Sequence, residues 1–269
     1  MEFGKSAKRG NMYKVTKYPH GTFSWADNSS RDPEAAKAFY MDLFGWSKNE
    51  IPIGENMTYT VFQLEGEACA ALSGMMSDQL QMGIPSQWNN FVTVDDVDAL
   101  ADVVTAKGGT VVYEPEDVFD SGRMMHIQDP TGAALNLWQP YDTIGAGIVN
   151  TVGAMSFNEL WTPDVPLAKD FYHALFGWEY QLDGVFTRIF NRGRANGGML
   201  QLHDVEPIWL PHFHVADVDQ AISRVKALGG AIEIDKHVDA DGSKWSVVAD
   251  PAGAVFYIMQ LAKADPWEE

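Results

Sequence analysis

AAKAFYMDLFGW (residues 35–46) and LAKDFYHALFGW (residues 167–178) are two versions of one amphipathic segment within a single 269-residue chain. In the first version Ala35, Ala36, Phe39, Tyr40 and Leu43 recur at spacings of three and four, which is the period of one helix face. Asp32 and Asp164 stand three residues ahead of the two stretches, where an N-cap belongs. Gly45 and Gly177 stand where a helix ends in a left-handed residue.

The repeat extends well beyond these helices. Phe39-Tyr40 and Phe171-Tyr172 lie 132 positions apart, as do Trp46 and Trp178. Further on, VDDVDAL with AKGGT matches VADVDQAI with ALGGA, and DPTGAALNLWQ matches DPAGAVFYIMQ, now at an offset of 121. The lost residues fall in one place, because Trp46 to Trp88 spans 42 positions and Trp178 to Trp209 spans 31. A period this long with one localised deletion indicates a duplicated domain, not a solenoid of short units.

Each copy begins with an alternating stretch, GTFSWAD or GAMSFNEL, which reads as a strand. The capped helix follows, then short strands (YTVFQL and NNFVTV; FTRIFN and HFHV) and a second glycine-closed helix. Two last strands flank the turns DPTG and DPAG, whose Asp-Pro-x-Gly order is type I turn chemistry. The pattern is α+β and of βαβββ type, and one copy leaves a sheet face bare that the second can cover. We place an N-terminal arm at 1–18, a first module at 19–141, a linker at 142–151, a second module at 152–262 and a tail at 263–269.

Composition narrows the function. Thirty-seven acidic against 19 basic residues give a net charge of -18, which repels phosphate backbones and anionic membrane surfaces. Neither a nucleic acid nor a membrane is an expected partner. A single cysteine, Cys69, permits no disulfide frame or thiolate cluster within the chain. No run reaches the roughly 18 to 20 apolar residues of a membrane span, and the start, MEFGKSAKRGNMYKVTK, lacks a signal's apolar core. The expectation is a cytoplasmic protein, monomer or homodimer, with a basic arm that is either loose or folded over an acidic body.

The motifs AxxFYxxLFGW, VxDVD…GG and DPxGxxxxxxQ, occurring twice in order from residue 20 to 261, resemble the vicinal oxygen chelate superfamily of glyoxalase I, bleomycin-resistance proteins and extradiol dioxygenases. More narrowly, GTFSW and DSGRMMHIQDPTGA resemble two-module glyoxalase-like proteins. The resemblance implies paired curved mixed sheets forming half-barrels, with helices outside and a cavity on each sheet. In metal-dependent members it also implies three ligand positions per module. By motif spacing these fall on Trp25, Asn89 and Asn136 in the first module and on Phe157, Leu210 and Tyr257 in the second.

None of those six is a usual ligand, since a divalent ion wants imidazole nitrogen or carboxylate oxygen. We therefore expect no metal and no other cofactor. The expected function is binding of a flat organic molecule by an aromatic-lined cavity, through Trp25, Asn89, Asn136, Trp138, Arg123, Phe157, Tyr257 and His214. The first module is expected to hold the working pocket, with Asn89 and Asn136 orienting a polar group; the second is either open or filled by its own rings.

The alternative is a lyase, isomerase or dioxygenase using a metal or an acid–base pair drawn from Glu159, Asp27 and His212. His212 and His214, two apart on a strand, share a face. They read as a base and its partner, as ligands of a displaced metal, or as packing. Glu159 and Asp27 occupy equivalent positions and read as buried acids or, preferably, as carboxylates paired with Lys244 and Arg123. Arg123 itself reads as a clamp for a substrate anion or as an interdomain ion pair, with His126 on the opposite strand face.

Overall fold

The computed structural model describes residues 13–54 and 57–262; most of the N-terminal arm, residues 1–12, and the tail at 263–269 lie outside them. A two-residue strand β1 (Tyr13–Lys14) precedes β2 (Thr22–Ser30), α1 (Pro33–Phe44), β3 (Ser47–Gly54), β4 (Met57–Leu64) and β5 (Glu67–Gly74). A short helix α2 (Ser77–Gln81) leads to β6 (Gln87–Thr93), α3 (Asp98–Ala106), β7 (Thr110–Val118), β8 (Gly122–Gln128) and β9 (Ala134–Pro140). The connection carries β10 (Ile148–Val149), which pairs with β1.

The second module repeats the order as β11 (Met155–Thr162), α4 (Val165–Phe176), β12 (Glu179–Asp183), β13 (Phe186–Asn191) and β14 (Arg194–Gln201). It closes with β15 (Ile208–His214), α5 (Val218–Ala227), β16 (Ala231–Val238), β17 (Lys244–Ala249) and β18 (Val255–Gln260). Helix α2 falls within the extra residues of the first module.

Local chemistry sets the helix ends as expected. Asp32 accepts from the Ala35 amide at 3.1 Å and Asp164 from the Leu167 amide at 2.9 Å, while Gly45 and Gly177 hold φ of 72° and 69°. Each module is one open eight-stranded mixed sheet, ordered β3-β4-β5-β2-β6-β9-β8-β7 and β12-β13-β14-β11-β15-β18-β17-β16. Each sheet is thus two βαβββ units joined where β2 meets β6, or β11 meets β15, antiparallel.

The helices pack on one face of each sheet, and it is on these faces that the two modules interlock. One core joins Phe23, Val92, Met125 and Ile127 of the first module to Leu160, Phe171, Tyr172 and Trp209 of the second. The other joins Phe39, Tyr40, Trp46 and Trp88 to Phe213, Val225, Phe256 and Ile258.

The recurring motifs stitch these cores. The Tyr40 hydroxyl donates to Asp250 of the opposite module's Asp-Pro turn, and Tyr172 donates to Asp129, both at 2.9 Å. Trp46 and Trp178 donate across the modules to the Gly153 and Gly21 carbonyls, both at 2.7 Å. No helix among the described residues is long and apolar enough to cross a membrane.

Candidate functional site

The faces of the two sheets turned away from the helices are the inner faces, and strand register decides what they present. In the second module Phe157 pairs with His212, Glu159 with Leu210, and His212 with Tyr257. Side chains directly opposite one another share a face, so Phe157, Glu159, Leu210, His212 and Tyr257 all lie inward. Trp161, two residues beyond Glu159, joins them by the same alternation.

These residues form one hydrogen-bonded cluster. Glu159 Oε1 accepts from the Tyr257 hydroxyl at 2.7 Å and from Trp161 Nε1 at 2.8 Å. Its other oxygen, Oε2, faces His212 Nε2 at 3.8 Å, too far for a direct hydrogen bond. The imidazole stacks on the Tyr257 ring, with centroids 3.8 Å apart and planes 9° apart. Neither nitrogen of His212 has a hydrogen-bond partner in the protein, although both are buried. Such an orphan costs about 1–3 kcal/mol.

Burial sets the protonation of the cluster. It raises the Glu159 carboxyl to about 7, aided weakly by Asp239, while the donations from Tyr257 and Trp161 pull the other way. Burial holds His212 down to about 3, so the imidazole is neutral at neutral pH. His214 shares the face, half-buried, with its Nδ1 unpaired and its pKa lowered by burial. Phe157 and Phe186 stack at 6.4 Å, and the Phe186 ring lies over Gly198, the strand neighbour of Glu159. Glu159, His212 and Tyr257 are each buried, so the cluster is closed beneath its rings.

The first module, expected to hold the working pocket, engages the equivalent groups with one another. Asn89 donates to Asp27 at 2.8 Å and to Ser29 at 2.9 Å; Tyr59 donates to Asp27 at 3.1 Å and accepts from Trp25 at 3.0 Å. Burial raises Asp27 to about 6 against these donors. Asn136 Oδ1 meets His126 Nδ1 at 2.8 Å. Trp138 donates to the Thr143 carbonyl at 2.9 Å and lies over Gly122.

The linker then runs along this face. The Ala146 amide donates to Ser24 and the Gly147 amide to Ala68, placing Ala146 among Trp25, Phe91 and Trp138. Part of the expected arm also docks here, since the Tyr18 hydroxyl donates to the Ala146 carbonyl at 2.7 Å.

Arg123 does not reach the inner face. Its guanidinium binds Asp98 bidentately at 2.7 and 2.8 Å and Asp117 at 3.1 Å, all within the first module, so it is neither an anion clamp nor an interdomain bridge. His126, on the opposite strand face, is the residue that turns inward. The expected pairing of Asp27 with Arg123 and Glu159 with Lys244 does not occur either: Asp27 is held by neutral donors, and Glu159 by Tyr257 and Trp161. Trp161, Tyr59 and Phe186 were not singled out from sequence. Trp161 was reachable through the period of two, whereas Tyr59 and Phe186 enter through cross-strand register.

A glyoxalase/bleomycin resistance protein/dioxygenase superfamily profile matches residues 24–137, and a glyoxalase-like domain profile matches residues 157–259. A putative glyoxylase, CFP32, of Mycobacterium bovis is 37% identical over 259 residues, covering 93% of this chain and 99% of that protein. The chain belongs to the glyoxalase/bleomycin resistance protein/dioxygenase superfamily.

Another relative within this superfamily's reach is the anthracycline biosynthesis protein DnrV of Streptomyces peucetius, 31% identical over 269 residues and covering 94% of this chain and 98% of that one. The fold also matches the 2,3-dioxygenase LapB from Pseudomonas sp. KL28, with TM-score 0.66, 12% identity and coverage of 93% and 96%. A Mn(II)-bound glyoxalase from Novosphingobium aromaticivorans matches with TM-score 0.64, 19% identity and coverage of 91% and 84%.

The superfamily's metal-dependent members raise the question whether these residues suit an ion. Phe157 and Leu210 supply no donor, Tyr257 Oη is engaged with Glu159, and the described residues contain no group of three or more His, Cys, Asp or Glu that could hold one. The donor set does not fit a divalent cation at the positions the superfamily implies.

Proposed function

We propose that this chain is a metal-independent small-molecule-binding protein of the cytoplasm, a monomer or homodimer, whose second module takes a flat organic ligand. The observation that carries the reading is the His212 imidazole, with both nitrogens unpaired and buried beside the free oxygen of Glu159. Buried polar groups are ordinarily satisfied, and a ligand group seated here would satisfy them. Rings supply the apolar walls, because Phe157, Trp161, Phe186, Trp245 and Tyr257 surround the polar pair. Entry requires the Phe186 ring to swing off Gly198.

Elemental analysis of protein purified without chelator or added metal tests the first half of the proposal. Substoichiometric Fe, Mn, Zn and Ni are expected; one ion per chain surviving gel filtration overturns it. Quenching of tryptophan fluorescence by planar aromatic compounds, weakened in a His212→Ala variant that remains folded, tests the second half.

A second reading, proton transfer by Glu159, is favoured by its raised carboxyl and by the oxygen left free beside His212. On that reading Glu159→Gln abolishes turnover of a substrate that it still binds. Asp27, enclosed by donors, is not part of this pair, and the first module serves as a scaffold.

A further inference from the structure

The proposed second-module site also has a charge and a hydrogen-bond pattern, and these define a ligand class. Resting on the reading above, we propose that it selects planar molecules that present a hydroxyl to the gap between Glu159 Oε2 and His212 Nε2 and that carry no negative charge.

The gap sets the first requirement. Its two atoms stand 3.8 Å apart, so a single ligand oxygen can lie about 2.8 Å from both, the ordinary length for such bonds. From there a hydroxyl donates to the carboxyl oxygen and accepts from the imidazole N–H, closing two groups that the protein leaves open. An ether or a bare hydrocarbon does at most half of this. The stacked His212–Tyr257 pair and the edge of Phe157, 5.2 Å from the imidazole centroid, hold the gap against rings, so the hydroxyl has to be borne by a flat body.

The surroundings set the second. The groups acting on Glu159 are Tyr257, Trp161 and, through space, the carboxylate of Asp239. Among the described residues no lysine or arginine contacts it. On β13, Arg188 is turned to Asp183, at 3.0 Å; on β17, Lys244 acts on Asp219 instead. His212 is the nearest base and is held neutral by burial. A ligand carboxylate would therefore be desolvated beside a carboxyl group with no compensating cation, a costly burial. The chain's net charge of -18 adds long-range repulsion of the same sign.

Calorimetric titration of the full chain at pH 8 with 2-naphthol, 2-methoxynaphthalene and 2-naphthoate provides the test. These probes share one ring system and differ in donor and charge. Naphthol is expected to bind at least about tenfold more tightly than either of the others. In Glu159→Gln the naphthoate handicap should shrink to within about threefold, and in His212→Phe naphthol and methoxynaphthalene should both weaken while naphthol, still donating to Glu159, keeps its lead. Naphthoate binding within about threefold of naphthol on the wild type overturns the selection rule while leaving a flat-ligand site in place. Failure of all three probes to bind at millimolar concentration overturns the flat-ligand reading itself, and the selection rule with it.

Discussion

Replacing Glu159 by Gln should change how the stability of this chain depends on pH, by an amount that the cluster geometry sets. Burial lifts the carboxyl from an ordinary 4.5 to about 7, so the folded chain holds this proton more tightly than the unfolded chain does. The stabilisation from that proton is complete below pH 4.5 and is lost as pH rises through 7. Within the window each pH unit removes about 1.4 kcal/mol, and by pH 8 this one group has given up about 3 kcal/mol relative to acid.

Gln preserves the shape of the site. Its carbonyl oxygen can accept from Tyr257 and Trp161, and its amide faces the unpaired His212 Nε2 across the 3.8 Å gap. No charge has to be buried at any pH. Urea unfolding of both proteins from pH 4.5 to 8 should therefore give curves that nearly meet at the acid end and separate by about 3 kcal/mol at the alkaline end, with the variant the more stable. Asp27, raised to about 6, also destabilises the folded chain over this range, but it is present in both proteins and cancels in the difference. Parallel curves would refute the claim that burial governs the state of Glu159.

Three further outcomes follow from other parts of the structure. Tyr172→Phe removes a donor from Asp129 and an acceptor from Trp209 Nε1, at 2.9 and 2.8 Å, and should lower stability by about 2 to 4 kcal/mol in chemical denaturation. His212→Phe keeps a ring on Tyr257 and removes two buried unsatisfied nitrogens; its melting temperature should equal or exceed that of the wild type even as ligand binding weakens. Gly145→Ala places a Cβ 2.4 Å from the Ser24 carbonyl oxygen at a φ of 106°. It should cost about 1 to 3 kcal/mol and raise amide exchange across residues 143–149, as the linker leaves the first module's face.

The candidate site was legible in part. Glu159 and His212 stood out as titratable residues on inward strand positions, because alternation along a strand is local and one register suffices to find it. Phe157, Leu210 and Tyr257 were placed on one face by motif spacing, and β15 and β18 pair in that register. Asn89 and Asn136 look free in sequence and are engaged in space by Asp27, Ser29 and His126, which no local pattern announces. Arg123 failed for the same reason: its carboxylate partners Asp98 and Asp117 come from a helix and an edge strand whose approach no local pattern encodes. Strands β3 and β7 were missed because both are edges, mostly exposed, and carry no apolar alternation.

By itself the sequence determined the duplication, the capped helices with their left-handed glycine ends, the Asp-Pro turns and the lack of ligand side chains at six expected positions. The duplication is a match of motifs with themselves, and the rest depend on residue type at short spacing, where backbone sterics and hydrogen-bonding capacity act directly. Only the tertiary structure decided that each core is shared between modules, that the linker runs over the first inner face, and that Glu159 and His212 meet in the second with hydrogen-bonding atoms unspent. Those outcomes depend on contacts between residues about a hundred positions apart, such as Tyr257 with Glu159, whose energies exist only once the sheets have formed and water has been excluded.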